Sequence, residues 1–160
     1  MKTRRFKKPL HLSLALTVAA TAFTVAAAAP ASAATECRGS ACNGIDPAET
    51  PCGADAGNID SFHYSGTNEW LQGALMELRR SSACDAAWAR VTGGDCMPPW
   101  RDCGFVLEVS GDSAQLGSNP RAGQHWTPMW SFRSYVRGCF VTYEMNPDAE
   151  YTRDQCTAWR

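Results

Sequence analysis

Ala74-Leu75-Met76-Glu77-Leu78-Arg79-Arg80 decides the class of this protein. Ala74, Met76 and Leu78 recur at every second position and point one way, while Glu77 and Arg79 point the other. A strand with one buried and one solvated face requires that period of two. Just beyond it, Ser82 reads as an N-cap, Asp85 follows three residues on, and Gly93-Gly94 closes the segment. Cys84, Ala87, Trp88 and Val91 then fall at i, i+3, i+4 and i+7, so the spacing predicts a short structural α-helix over residues 84–91. Residues 105–109 read as a second strand with Phe105, Leu107 and Val109 inward. Residues 136–144 read as a third, with Cys139, Val141 and Tyr143 on one face, and residues 155–159 as a short last one. Gly111-Asp112 suits a hairpin turn at the start of a loop-like stretch. Residues 34–60 are rich in Gly, Pro, Asp and Cys and nearly free of large apolar side chains, which describes a coil held by cross-links rather than by a core. The expected fold is mainly β: a small disulfide-stapled β-barrel or sandwich with one short helix, in a single domain over residues 34–160.

The cross-links are Cys37, Cys42, Cys52, Cys84, Cys96, Cys103, Cys139 and Cys156. An even count in a small exported chain predicts four disulfides, and eight cysteines allow about 105 pairings, so sequence leaves the connectivity open. Local closure is most plausible for Cys96 with Cys103, which bracket Met97-Pro98-Pro99-Trp100-Arg101-Asp102. Cys84, Cys139 and Cys156 are expected to tie distant elements together. Zinc is the rival use of cysteine, but no C-x-x-C pair occurs and the spacings are irregular.

Export is read from the N-terminus. Lys2, Arg4, Arg5, Lys7 and Lys8 precede an apolar, alanine-rich run to Ala29, and Ala31-Ser32-Ala33 has the form of a cleavage site. That order defines a secretory signal over residues 1–33, favoured over a membrane anchor because alanine inserts weakly and the exit site follows at once. The general secretory route is favoured over twin-arginine export, since Phe6 sits one place early after Arg4-Arg5. The remaining 127 of 160 residues keep ten basic residues, all arginine, against 16 acids, a net of −6. Such a domain is poorly suited to nucleic acid or to an anionic membrane, where basic patches supply most of the affinity.

Further residues carry a family resemblance. They are Cys37-x4-Cys42-Asn43-Gly44-Ile45-Asp46-Pro47, Cys52-Gly53-Ala54-Asp55-Ala56, and Glu77-Leu78-Arg79 with Ser81. Ala83-Cys84, Ala86-Ala87-Trp88-Ala89-Arg90, Thr127-Pro128-Met129 and Val136-Arg137-Gly138-Cys139 complete the pattern. Together they resemble the YjfA-like secreted proteins of actinobacteria and bacilli, a domain of unknown function. The resemblance implies an exported single domain and supplies no activity. Arg80 and Ser82 depart from the Tyr and Pro associated with that turn, and Cys96 to Cys103 looks like an added stapled loop.

Candidate sites divide by chemistry. His63 and His125 would be the bases of a cell-wall hydrolase, yet no G-x-S-x-G elbow and no H-E-x-x-H motif accompanies them. Asp46, Glu49, Asp55 and Asp60 crowd the cysteine-rich coil and could hold calcium, although their spacing matches no EF-hand and Asp is common in turns for local reasons. No metal and no cofactor is therefore expected. Six tryptophans remain: Trp70, Trp88, Trp100, Trp126, Trp130 and Trp159. Trp88 is assigned to the core, and Trp100, Trp126 and Trp130 to a recognition surface, since Trp near Arg is typical of such surfaces. The expectation is a secreted, extracellular, non-enzymatic binding domain for a protein or a cell-envelope glycan. The alternative is an inhibitor of proteases or other hydrolases that presents the Cys96–Cys103 loop as a rigid wedge.

Overall fold

The computed structural model describes residues 36–96, 103–111, 115–117, 123–143 and 151–160. The expected signal segment, Trp100 with the rest of loop 97–102, and Asp112 lie outside the described residues. The chain divides into two compact units, Met1–Ser32 and Ala33–Arg160, and every described residue belongs to the second.

Among the described residues, nine strands form two antiparallel sheets. The first contains β1 (Gly57–His63), β2 (Leu75–Ser81), β3 (Ala86–Thr92) and β6 (Gln124–Trp126) in that spatial order, with β7 (Trp130–Ser131) also on β3. The second runs β5 (Gln115–Leu116), β4 (Cys103–Val109), β8 (Val136–Thr142), β9 (Thr152–Cys156). Met76, Leu78, Ala87, Ala89 and Val91 of the first sheet meet Phe105, Leu107, Val136 and Phe140 of the second in one buried cluster. The sheets approach closely at Gly138, where a Cβ would stand 2.9 Å from Met76 Sδ and 3.2 Å from the Ala89 Cβ. A larger residue there would require the Met76 side chain to shift and Ala89 to give by a few tenths of an ångström. The fold is thus a small β-sandwich with no closed barrel, and Cys96–Cys103 lies within its core.

In β2, Glu77 and Arg79 point away from the core face that Met76 and Leu78 form, as a period of two requires. In β4 and β8 the two faces divide in the same way: Phe105, Leu107 and Val109 line the inter-sheet core, and Cys139, Val141 and Tyr143 gather on the other side with Val106. β4 and β5 form the hairpin expected near residue 111, with Gly111 at a φ of +79°.

The helix over residues 84–91 is not formed. Residues 82–85 make a tight turn and Ala86–Thr92 is strand β3, paired in register with β2 from Ser81↔Ala86 to Leu75↔Thr92. Ser81 is the residue that shapes the turn: its Oγ accepts the Cys84 amide, while Asp55 accepts the Ala83 amide. The turn also needs Asp85 in the left-handed region at φ +50°. β3 is buried on both faces, so it carries apolar residues almost without interruption, and such a run satisfies a helical spacing as readily as a strand's.

What covers the second face of the first sheet is the cysteine-rich segment. It is a chain of short 3-10 turns (Gly39–Cys42, Pro47–Glu49, Pro51–Gly53) that leads into β1. Two disulfides hold it, Cys37–Cys42 within the segment and Cys52–Cys84 to the β2–β3 turn. Cys42, Cys52, Cys84, Ala86, Trp88 and Met129 form a second buried cluster beneath it. The fourth disulfide, Cys139–Cys156, joins neighbouring strands β8 and β9. Four disulfides mark a protein that folds in an oxidising environment. Among the described residues, no helix is long and apolar enough to cross a membrane.

Candidate functional site

Strand register builds a site on the face of the first sheet that the cysteine-rich segment only partly covers. Ser61↔Glu77, Glu77↔Arg90 and Arg90↔Trp126 are successive cross-strand pairs, so these four side chains form one row across β1, β2, β3 and β6. The next row pairs Asn58 with Arg79 and Arg79 with Trp88. Cross-strand partners have Cβ atoms about 5 Å apart, so two guanidiniums and two indoles are neighbours by construction. Pro47, Ala48 and Gly53 of the cysteine-rich segment rise beside them, and Gln124 closes the end. The result is a cleft of about 150 Å³ with apolar walls and charged edges, room for one ring or one side chain.

Glu77 organises the charges. It is buried, and its two carboxylate oxygens accept Arg90 Nε at 2.7 Å and Arg90 Nη2 at 2.8 Å. This two-bond geometry fixes the guanidinium plane. Arg79 lies 3.7 Å from the same carboxylate and donates Nη2–H to the Ala56 carbonyl at 2.6 Å. Its Nε is buried without a hydrogen-bond partner among the described residues. Burial, and then the neighbouring Arg90 cation, push the Arg79 guanidinium down from its ordinary value, with Glu77 opposing them. Trp88 is buried at the back of the cleft, and Trp126 donates its indole N–H to Asp46 at 2.7 Å, which holds the ring at the mouth. Asp55 serves the same segment: its carboxyl is held below the usual range by hydrogen bonds from Ser81 and the Ala83 amide.

The other expected site residues are dispersed. Trp130 pairs with Ala87 through β7 and packs against the inter-sheet core, the opposite face from Trp126, so the two tryptophans do not share a surface. Trp70 and Trp159 are exposed, and Trp159 lies under Arg137 at 4.4 Å. His63 sits on β1 with its Nδ1 3.2 Å from the Gly73 carbonyl, while half-buried His125 sits on β6 opposite Val91. Two strands separate them, about 14 Å at the usual strand spacing. Asp46 and Asp55 are engaged as described, and Asp60 accepts the Ala158 amide and Arg160. These carboxylates bond separate parts of the fold rather than converging on a point. Cys37, Cys42, Cys52 and Cys84 do converge, with all four Sγ atoms within 4.8 Å of one another. Metal binding needs thiolates, and here the sulfurs are joined in disulfides.

A second charged cluster lies on the outer face of the other sheet. Buried Glu108 of β4 accepts Arg137 Nε at 2.7 Å, Arg153 Nε, and the Tyr151 hydroxyl at 3.1 Å. Burial alone would raise its pKa, but the bonds from Arg137 and Arg153 outweigh that and hold it below the ordinary value.

Arg79, Arg90 and Glu77 did not stand out as site residues in the sequence. The signal exists once β3 is read as a strand, because Trp88 and Arg90 then share a face two residues apart and pair with Arg79 and Glu77.

Comparison with known proteins agrees with a domain whose role is open. Residues 40–135 match the family described as "Protein of unknown function (DUF2690)". No curated protein and no solved structure matches the chain. The matched span includes every residue that lines the cleft and stops before β8. The chain belongs to the DUF2690 family.

Proposed function

We propose that this chain is a secreted, non-enzymatic binding domain whose recognition site is the Trp88–Trp126 cleft. One observation carries the reading: strand register gathers two indoles and two positioned guanidiniums around a space the size of a single ring. Flat aromatic walls favour the face of a sugar or an aromatic ring, and guanidinium edges favour oxygen acceptors around it. A ring of a cell-envelope glycan has both features, and a side chain of a protein partner is the competing occupant. The net charge of −6 beyond residue 33 argues against nucleic acid and anionic lipid. Secretion rests on the leader pattern together with the four disulfides. Intact mass of the exported protein should correspond to residues 34–160 less eight hydrogens, and a product that retains Met1 would refute export with cleavage. The likeness to YjfA-like proteins belongs to the same proposal.

Binding is tested by capture of soluble cell-wall glycan fragments on immobilised protein. Trp126→Ala and Arg79→Gln should each weaken capture about thirtyfold, the size of a recognition hot spot. Trp159→Ala, beyond β9 and beneath Arg137, should leave capture unchanged. Equal losses from all three variants, or none from the first two, would remove the cleft from consideration. Inhibition of a protease by the protein, abolished by Trp100→Ala and not by Trp126→Ala, would favour the stapled-loop reading instead.

A further inference from the structure

The two disulfides of the cysteine-rich segment lie against each other. Cys37 Sγ is 3.8 Å from Cys52 Sγ, and all four sulfurs fall within 4.8 Å of one another, so small side-chain rotations would exchange bonding partners. Their access to solvent is unequal: Cys42 and Cys52 are fully buried, Cys84 is buried but 5% exposed, and Cys37 is half-buried. Beside them opens a cleft of about 540 Å³, lined by Glu36, Cys37, Arg38, Ala41, Ala83 and Cys84 among others. One cysteine of each disulfide therefore lines the cleft, and the other is enclosed. A structural cross-link needs neither the stacking nor the opening. The other two disulfides stand apart, Cys96–Cys103 in the inter-sheet core and Cys139–Cys156 between β8 and β9.

We propose that Cys37–Cys42 and Cys52–Cys84 form a coupled thiol–disulfide exchange site that oxidises a small-molecule thiol entering from this cleft. The incoming thiolate attacks Cys37 Sγ, forming a mixed disulfide and breaking the Cys37–Cys42 bond, whose electron pair leaves on Cys42. The Cys42 thiolate attacks Cys52 Sγ, forming Cys42–Cys52 and expelling Cys84 as a thiolate into the cleft. A second thiolate then attacks the sulfur of the first thiol, and Cys37 leaves as a thiolate. Two thiols have lost two electrons and two protons and have become a disulfide. Cys37 and Cys84 have gained both, and the enclosed pair Cys42–Cys52 keeps the segment cross-linked. Thiolate is the attacking form, and Arg38 offers it a cation at the cleft.

The probe is reduced glutathione, added to the folded, fully oxidised protein, followed by acid quenching, alkylation and mass-spectrometric mapping of the cystines. The expected product carries alkyl groups on Cys37 and Cys84, contains a Cys42–Cys52 bond, and appears with one glutathione disulfide per chain. Cys96–Cys103 and Cys139–Cys156 stay closed meanwhile. Alkylation of Cys37 and Cys42 with Cys52–Cys84 intact would mean simple reduction and would overturn the relay. So would opening of all four disulfides together at the rate of global unfolding. Arg38→Gln keeps every cysteine and should slow glutathione about threefold or more, and 2-mercaptoethanol less, because the 2-mercaptoethanol thiolate carries fewer negative charges than that of glutathione. Equal slowing, or none, for the two thiols would overturn entry through this cleft.

Discussion

Replacing Cys52 and Cys84 together by alanine should cost this protein about 4–5 kcal/mol. The bond closes a loop with a sequence separation of 32, and no other disulfide bridges that loop. Chain entropy for such a loop comes to about 3.7 kcal/mol at 25 °C, against about 2.2 kcal/mol for the separation of 5 closed by Cys37–Cys42. Both sulfurs are also buried against Trp88 and Met129, and truncation there adds about 1 kcal/mol for the space left behind. Urea unfolding under non-reducing conditions is the assay. With a denaturant slope of about 2 kcal/mol per molar, the midpoint should fall by roughly 2 M. The Cys37→Ala/Cys42→Ala pair should fall by about half as much. Hydrogen exchange supplies a second readout, because the Met129 amide donates to Ile45 and the Gly44 amide to Met129 across the junction this bond holds. Those amides should lose protection ahead of β4 and β8. A loss below about 1.5 kcal/mol, or one no larger than that of the Cys37–Cys42 pair, would refute the view that Cys52–Cys84 anchors the segment.

Two further outcomes follow from the packing and the charges. Trp88→Ala should cost about 3–5 kcal/mol by thermal or urea unfolding, since the ring is buried between β3 and the cysteine-rich segment; a melting point within a few degrees of the parent would place the ring at the surface. Glu108 has a folded-state pKa below its ordinary 4.5, so its stabilising effect is complete above that value and is lost as pH falls through the folded pKa. Urea midpoints measured from pH 7 down into the acid range should fall less steeply in Glu108→Gln than in the parent, and parallel profiles would contradict the Arg137 and Arg153 pairing.

The sequence by itself determined the class of the domain and much of its framework. Met76 and Leu78 alternate with Glu77 and Arg79, a period of two visible in a short window, while Phe105, Leu107, Val109, Cys139 and Val141 were legible from alternate placement in runs rich in β-branched and aromatic residues, although β4 is buried throughout. The Cys96–Cys103 bond was likewise legible, because its closure is local. β3 was not legible, because the segment that buries its outer face lies far upstream, and its near-continuous apolar run, with Cys84, Ala87, Trp88 and Val91 at i, i+3, i+4 and i+7, satisfies a helical spacing as well as a strand's. The pairing of Cys52 with Cys84 and of Cys139 with Cys156 was open for the same reason: spacing does not encode which segments meet. The cleft depended on that missing strand. Glu77, Arg79, Trp88, Arg90 and Trp126 come from three strands, and only register across the sheet makes them neighbours and sets Trp130 on the opposite face. Side-chain chemistry is written residue by residue, but adjacency between strands is decided by which backbones pair, and that is a property of the folded chain.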